Sequence, residues 1–215
     1  MRRVRLLAAL RLGLVAGGLC ALFIGPASLV AEPTLRITSP SSGTVFAPGQ
    51  TLEITVEATP LAFRAVAVIG TLGFSQISRA APYRLQIQIP ADTTPGVQRL
   101  IAAGYPPDGP AVHSESITIA VERPDSPLKL ESIGGLVLDI GDDWPFSVTG
   151  SFADGSTVCL THSTLTRYVS DRPSVASVND EGVVTAVGPG SARVTITNGG
   201  AQLVVPVKVA VPHRQ

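Results

Sequence analysis

From residue 33 onward, apolar side chains recur at every second position in short runs, and proline, glycine or aspartate cuts each run off. In Thr51-Leu52-Glu53-Ile54-Thr55-Val56-Glu57-Ala58, one face carries Leu52, Ile54, Val56 and Ala58 and the other two threonines and two glutamates. Tyr83-Arg84-Leu85-Gln86-Ile87-Gln88-Ile89 repeats the pattern. A repeat of two belongs to an extended strand with one buried face, and no window beyond residue 33 sustains the 3.6-residue repeat of an amphipathic helix. The chain is therefore expected to be all-β with almost no helix. The 21 glycines and 18 prolines supply the reversals, while 45% hydrophobic against 15% charged residues is too apolar for a disordered chain.

Further strands are expected near residues 35–38, 64–69, 97–103 and 114–121, separated by Ser39-Pro40, Ala47-Pro48-Gly49, Pro95-Gly96 and Pro106-Pro107-Asp108-Gly109-Pro110. That density of short strands is the density of a β-sandwich. Glu122-Arg123-Pro124-Asp125-Ser126-Pro127 has two prolines, three charges and no apolar residue, which reads as a short, stiff linker outside any core. Alternation then restarts, with Trp144, Phe146, Val148 and Phe152 on one parity, Ala192, Val194 and Ile196 on another strand, and Leu203, Val205, Val207 and Val209 on the last. Pro206 has no amide hydrogen to donate, so this last strand is expected at a sheet edge or with a bulge. The expected organisation is a leader at 1–31, one sandwich at 33–121, the linker at 122–127 and a second sandwich at 128–211.

The leader reading rests on Met1-Arg2-Arg3-Val4-Arg5, an apolar stretch from Leu12 to Ile24, and small residues ending at Ala31, the three-part pattern of a secretory signal cleaved near Ala27 or Ala31. Extending the stretch back past Arg11 to Leu6 makes an uncleaved anchor the alternative. Leu19 before Cys20 is too large for a lipid-anchor signal. Removing Arg2, Arg3, Arg5 and Arg11 from 16 basic residues leaves 12 against 16 acidic, a net charge of −4. Such a balance exerts no long-range pull on nucleic acid or anionic lipid. Only Cys159 then remains, so no intrachain disulfide can form, and strand alternation places this thiol opposite Val158 and Leu160, toward solvent.

Residues 170–196 are dense in turn formers. Pro173 fixes its own φ and pushes Arg172 out of the helical region. Val175 to Val178 is then a very short strand, and Asn179-Asp180-Glu181-Gly182 a hairpin loop in which Gly182 takes the left-handed conformation. Val183, Thr185 and Val187 share one face of the return strand, and Gly188-Pro189-Gly190 reverses the chain again. Residues 128–210 resemble the bacterial immunoglobulin-like group 2 domain through Asp154-Gly155-Ser156, Tyr168, Ser170-Asp171-Arg172-Pro173-Ser174-Val175-Ala176-Ser177-Val178, Gly182-Val183-Val184-Thr185-Ala186-Val187 and Gly188-Pro189-Gly190. They depart from its pattern in having Tyr168 where that family usually has tryptophan, a change core packing should tolerate. Residues 35–121 resemble another bacterial Ig-like module more loosely, through Ser39-Pro40, Gly43, Phe46, Gly49 and Pro82-Tyr83. The resemblance implies two tandem Ig-like β-sandwiches in a secreted or cell-surface protein, where such modules act as spacers, stalks and binding platforms. It implies no ligand, because function on a widely shared fold lives in grafted sites.

Residues able to do chemistry are few and scattered. His113 and Ser114 are neighbours whose side chains point to opposite sheet faces, so no nucleophile, base and orienting group assemble and no catalytic residue is expected. Cys159 and His162 offer two metal ligands where a structural zinc site needs four. Asp139, Asp142, Asp143 and Asp154 lie in ordinary turn sequences without the spacing of a calcium loop. No metal and no cofactor is expected. For ligand contact the candidates are Phe74, in Leu72-Gly73-Phe74, and Tyr105 and Asp108, in Tyr105-Pro106-Pro107-Asp108-Gly109-Pro110; both stretches put an aromatic near a loop. The function expected is a non-catalytic exported module, structural or adhesive, in the periplasm, at the cell surface or outside the cell, with an envelope protein or surface glycan as partner and no nucleic acid. The alternatives are a carbohydrate- or peptide-binding module and an accessory subunit of a secreted enzyme.

Overall fold

The computed structural model describes residues 34–211 except 60–62, 72 and 74; the leader sequence lies outside the described residues. Nineteen strands follow one another, and no helix interrupts them among the described residues. The first nine are β1 (Thr34–Ser39), β2 (Thr44–Phe46), β3 (Thr51–Thr59), β4 (Ala65–Gly70), β5 (Ser75–Ser78), β6 (Tyr83–Gln88), β7 (Gly96–Tyr105), β8 (Val112–His113) and β9 (Ile117–Val121). One sheet has the order β1-β3-β6 and the other β2-β9-β7-β4-β5, with β8 added to β7. Leu35, Ile37, Leu52, Ile54, Val56, Leu85 and Ile87 of the first sheet meet Val66, Val68, Leu100, Ala102, Ile119 and Val121 of the second in one buried cluster, so the sheets pack face to face. Tyr83 is buried with them, and its hydroxyl both donates to the Phe63 carbonyl and accepts the Phe63 N–H, each at 2.9 Å. That pairing removes the cost of burying a phenol.

The rest comprises β10 (Lys129–Glu131), β11 (Leu136–Asp139), β12 (Asp143–Pro145), β13 (Thr149–Ser151), β14 (Thr157–Cys159), β15 (Thr166–Ser170), β16 (Ala176–Val178), β17 (Val183–Ala186), β18 (Gly190–Asn198) and β19 (Ala201–Ala210). They form sheets β10-β13-β14, β11-β19-β18-β15 and β12-β17-β16. Their buried side chains make a second cluster that shares no residue with the first. Tyr168, at the position where tryptophan is usual, stacks on Phe146 with ring centroids 6.2 Å apart and donates its hydroxyl to the Thr161 carbonyl at 2.9 Å.

One local expectation needs revision. Pro206 does not mark an edge, because β19 pairs with β11 on one side and β18 on the other. Arg193, its partner on β18, exchanges its N–H and carbonyl with Asp171 instead. The nitrogen of Pro206 therefore faces β11, whose pairing starts one residue later at Leu136↔Val207, and no ladder bond is lost. Trp144 keeps the inward parity of its partner Val184, yet it is 43% exposed because β12 is an edge strand. On β17 the buried face belongs to Val184 and Ala186, which leaves Val183, Thr185 and Val187 on the wetter side.

Candidate functional site

The densest polar arrangement lies where the two cores meet. Glu122 follows β9 directly, and its N–H is held by the Phe46 carbonyl at 2.8 Å. Glu122 is only 6% exposed, and its carboxylate accepts three hydrogen bonds from the second half: the Ser163 hydroxyl at 2.7 Å, the Thr164 N–H at 2.6 Å and the Thr164 hydroxyl at 2.9 Å. Ser163 in turn accepts from the Asn198 side-chain amide, which also donates to Thr166, whose hydroxyl donates to the Leu160 carbonyl. A buried carboxylate is tolerated only when its lone pairs are filled, and here the donors come from the other core.

Arg123 makes the second attachment. Its guanidinium forks onto Asp125 at 2.9 and 3.0 Å, reaches Asp154 at 3.0 Å and the Ser156 hydroxyl at 3.2 Å, and lies 4.1 Å over the centre of the Phe152 ring. Hydrogen bonds from the Ser156 hydroxyl and N–H, followed by the bond from Arg123, hold the Asp154 carboxyl down to about 2. The Asp125 carboxyl is held below its usual range first by the hydrogen bond from Arg123. Backbones approach closely too: a Cβ at Gly96 would sit 2.8 Å from the His162 carbonyl oxygen, and one at Gly150 would sit 3.0 Å from Cβ of the buried Pro127. Sequence reasoning missed this joint because a stretch without apolar residues carries no periodic signal. The one hint available was a glutamate directly after a buried strand.

The other residues singled out from sequence stand apart. Tyr105 ends β7, 46% exposed, and Asp108 is exposed in the loop that follows. Phe74 lies outside the described residues. The described Ser75 pairs with Ile69, whereas Tyr105 pairs with Ala65, four residues earlier on β4. Ser114 is buried, accepting the Ala102 N–H at 3.0 Å and donating to the Glu115 carbonyl at 2.7 Å, while His113 is exposed. Cys159 is exposed, and no group of three or more metal-ligating side chains converges among the described residues. Of the acidic turn residues, Asp142 accepts the Asp139 N–H at 3.0 Å and Asp143 the Thr185 hydroxyl at 2.6 Å. Those carboxylates serve the turns.

The described chain is all-β, in the sheet-on-sheet manner of immunoglobulin-like domains. Residues 136–209 match the family model of the bacterial Ig-like domain (group 2). No curated protein matches the chain. Among solved structures, the fibronectin(III)-like modules of Clostridium thermocellum CbhA are 22% identical, with a TM-score of 0.37 over 41% of this chain and 94% of theirs. A GH10 xylanase containing a bacterial Ig-like domain, from termite gut, is 22% identical with a TM-score of 0.28 over 38% of this chain, which spans 20% of the xylanase. The S-layer protein SbsC is 17% identical with a TM-score of 0.36 over 86% of this chain, which spans 28% of it. No helix among the described residues is long and apolar enough to cross a membrane.

Proposed function

We propose that this chain is a non-catalytic, exported protein of two Ig-like sandwiches, 33–121 and 128–211, joined stiffly and serving as a structural or adhesive element of the bacterial surface or envelope. The observation that carries the reading is Glu122. Its carboxylate is withdrawn from water and bound by three donors of the neighbouring core, and Arg123 clamps the adjacent turn. A tether meant to let two domains swing would leave its charges in water. Both serines that stand beside a histidine have their hydroxyl protons committed elsewhere, Ser114 to the Glu115 carbonyl and Ser163 to the Glu122 carboxylate, in keeping with a non-catalytic role. Export is supported by the leader pattern and by the compartments in which group 2 domains occur.

Backbone relaxation by NMR tests the stiff joint. Both halves should tumble with one correlation time in the native chain, and Glu122→Ala combined with Arg123→Ala should separate them. Two independent correlation times in the native protein would make 122–127 a flexible tether and sink the reading. A binding role is the second reading, favoured by the distribution of positive charge on one sheet.

A further inference from the structure

Residues 128–211 contain five basic side chains, Lys129, Arg167, Arg172, Arg193 and Lys208. Four of them lie on, or at the rim of, the outward face of the sheet β11-β19-β18-β15. Arg193 and Lys208 are exposed between the buried Ala192, Val194, Val207 and Val209, and Arg167 is exposed between Thr166 and Tyr168. Arg172 follows β15 and reaches the Ser191 carbonyl at 3.3 Å. Opposing carboxylates on this face are Asp139, at the end of β11, and Asp171, which lines the groove beside Arg172 with one oxygen taken by the Arg193 N–H at 2.7 Å. Of the other acidic residues, Glu131 pairs with Lys129, Asp143 and Asp154 lie in other strands and turns, Asp142 caps the end of β11, and Asp180 and Glu181 share a groove with Arg167. In a segment with more acidic than basic residues, positive charge has thus been gathered on one side.

The same face holds an open groove of about 490 Å³, lined by Arg172, Arg193 and Lys208 together with Val137, Pro206 and Ser191. Val137 is 75% exposed and pairs with Lys208, while Pro206 pairs with Arg193, so an apolar diagonal from Val137 to Pro206 runs alongside the two cations. Arg193 and Lys208 are diagonal neighbours on adjacent strands, about 7 Å apart at the backbone. Neither they nor Arg172 enters an ion pair among the described residues.

We propose that this groove binds a linear, carboxylate-bearing polysaccharide, a site that goes beyond the structural role argued above. The C–H face of a sugar ring packs on the Pro206 ring and Val137. Carboxylates on successive residues meet the guanidinium of Arg193, which presents paired donors to a planar carboxylate, and the ammonium of Lys208. The Ser191 hydroxyl offers a bond to a ring hydroxyl. The groove is open along the sheet, which suits the middle of a polymer better than a small molecule enclosed on all sides. A polyol phosphate supplies the charge without the ring faces that the apolar strip accommodates.

Binding of the full chain to polygalacturonate, read by affinity electrophoresis, tests this. Retention is expected at about 50 mM salt and should fall steeply toward about 500 mM, as charges on an exposed face are screened. Arg193→Glu with Lys208→Glu should weaken it at least about tenfold, and the charge-neutral Arg193→Gln with Lys208→Gln should weaken it in the same direction if the reversed pair fails to fold. Arg64→Glu with Arg79→Glu, equal in charge but exposed on the first half, should leave retention unchanged. No retention at low salt, equal retention on neutral dextran, or an equal loss in the Arg64/Arg79 control would overturn the proposal. Tighter binding to a ribitol-phosphate polymer through the same residues would overturn it in favour of phosphate. Dimerisation abolished by the Arg193/Lys208 substitutions would overturn it in favour of a second copy. None of these outcomes bears on the joint, whose test stands separately.

Discussion

Gly182 and Tyr168 constrain each other. Gly182 closes the loop between β16 and β17 with φ of +79°, and a Cβ there would lie 2.8 Å from Cζ of Tyr168. The turn requires glycine for its conformation and the ring requires it for space. Gly182→Ala should therefore cost about 1 kcal/mol or more, and Gly182→Val more still, read as a lowered melting temperature. Burial, with the Cys159 charge adding to it, pushes the Tyr168 phenol up to about 12 from its ordinary value of 10. The folded state favours the neutral phenol, so this contribution is complete below pH 10 and is lost as the pH rises from 10 toward 12. Phenolate absorbance should show one tyrosine titrating late, and Tyr168→Phe should remove that late step while costing about 1 kcal/mol for the bond to Thr161. Asn179-Asp180-Glu181-Gly182 announced the turn in the sequence; that Tyr168 packs against it is a tertiary fact that no local pattern encodes.

Among the elements, those that alternate were legible and those that do not were not. β3, β6, β18 and β19 each bury one face, and their alternation in the sequence matches that face. β5 has no buried residue and β8 spans two, so neither leaves a hydrophobic period. Pro206 was misleading because a missing donor matters only on the side where a neighbour waits for it. The joint was illegible for a related reason: its energy is polar and its partners lie some 40 residues away in the sequence, as with Glu122 and Ser163. Glu122→Ala leaves Ser163 and Thr164 without their acceptor and should destabilise the protein by about 1–3 kcal/mol, measured by chemical denaturation. The Arg123–Asp154 contact has its own pH range. Because the folded carboxyl is held at about 2 against 3.8, the contact is complete above pH 4 and should be lost as pH falls toward 2, visible in the Arg123 side-chain NMR signals.

At the scale of the whole molecule, two apolar clusters without a common residue are held together by one polar joint. Calorimetry should record a single transition in the native protein, because neither core can open without breaking the Glu122 network. Glu122→Ala should split it into two, and a native protein that already melts in two steps would show the joint too weak to couple the cores. The group 2 character of residues 136–209 was legible from turns and short apolar pairs. The basic face was not, since Arg172, Arg193 and Lys208 are spread over 37 positions of the sequence and only strand pairing brings them together.

Pulling tells these strand pairings apart. In each half an early strand lies parallel to the last one, β2 beside β9 and β11 beside β19. Tension that enters near Leu136 and leaves near Ala210 loads β11 and β19 in opposite directions along their length. Their four residue pairs, Leu136↔Val207 to Asp139↔Ala210, then carry the force together in shear, whereas a hairpin pulled at its open end would peel one rung at a time. Stretched between two attachments, the second half should act as a mechanical fuse with a high rupture force, and its first break should separate β11 from β19.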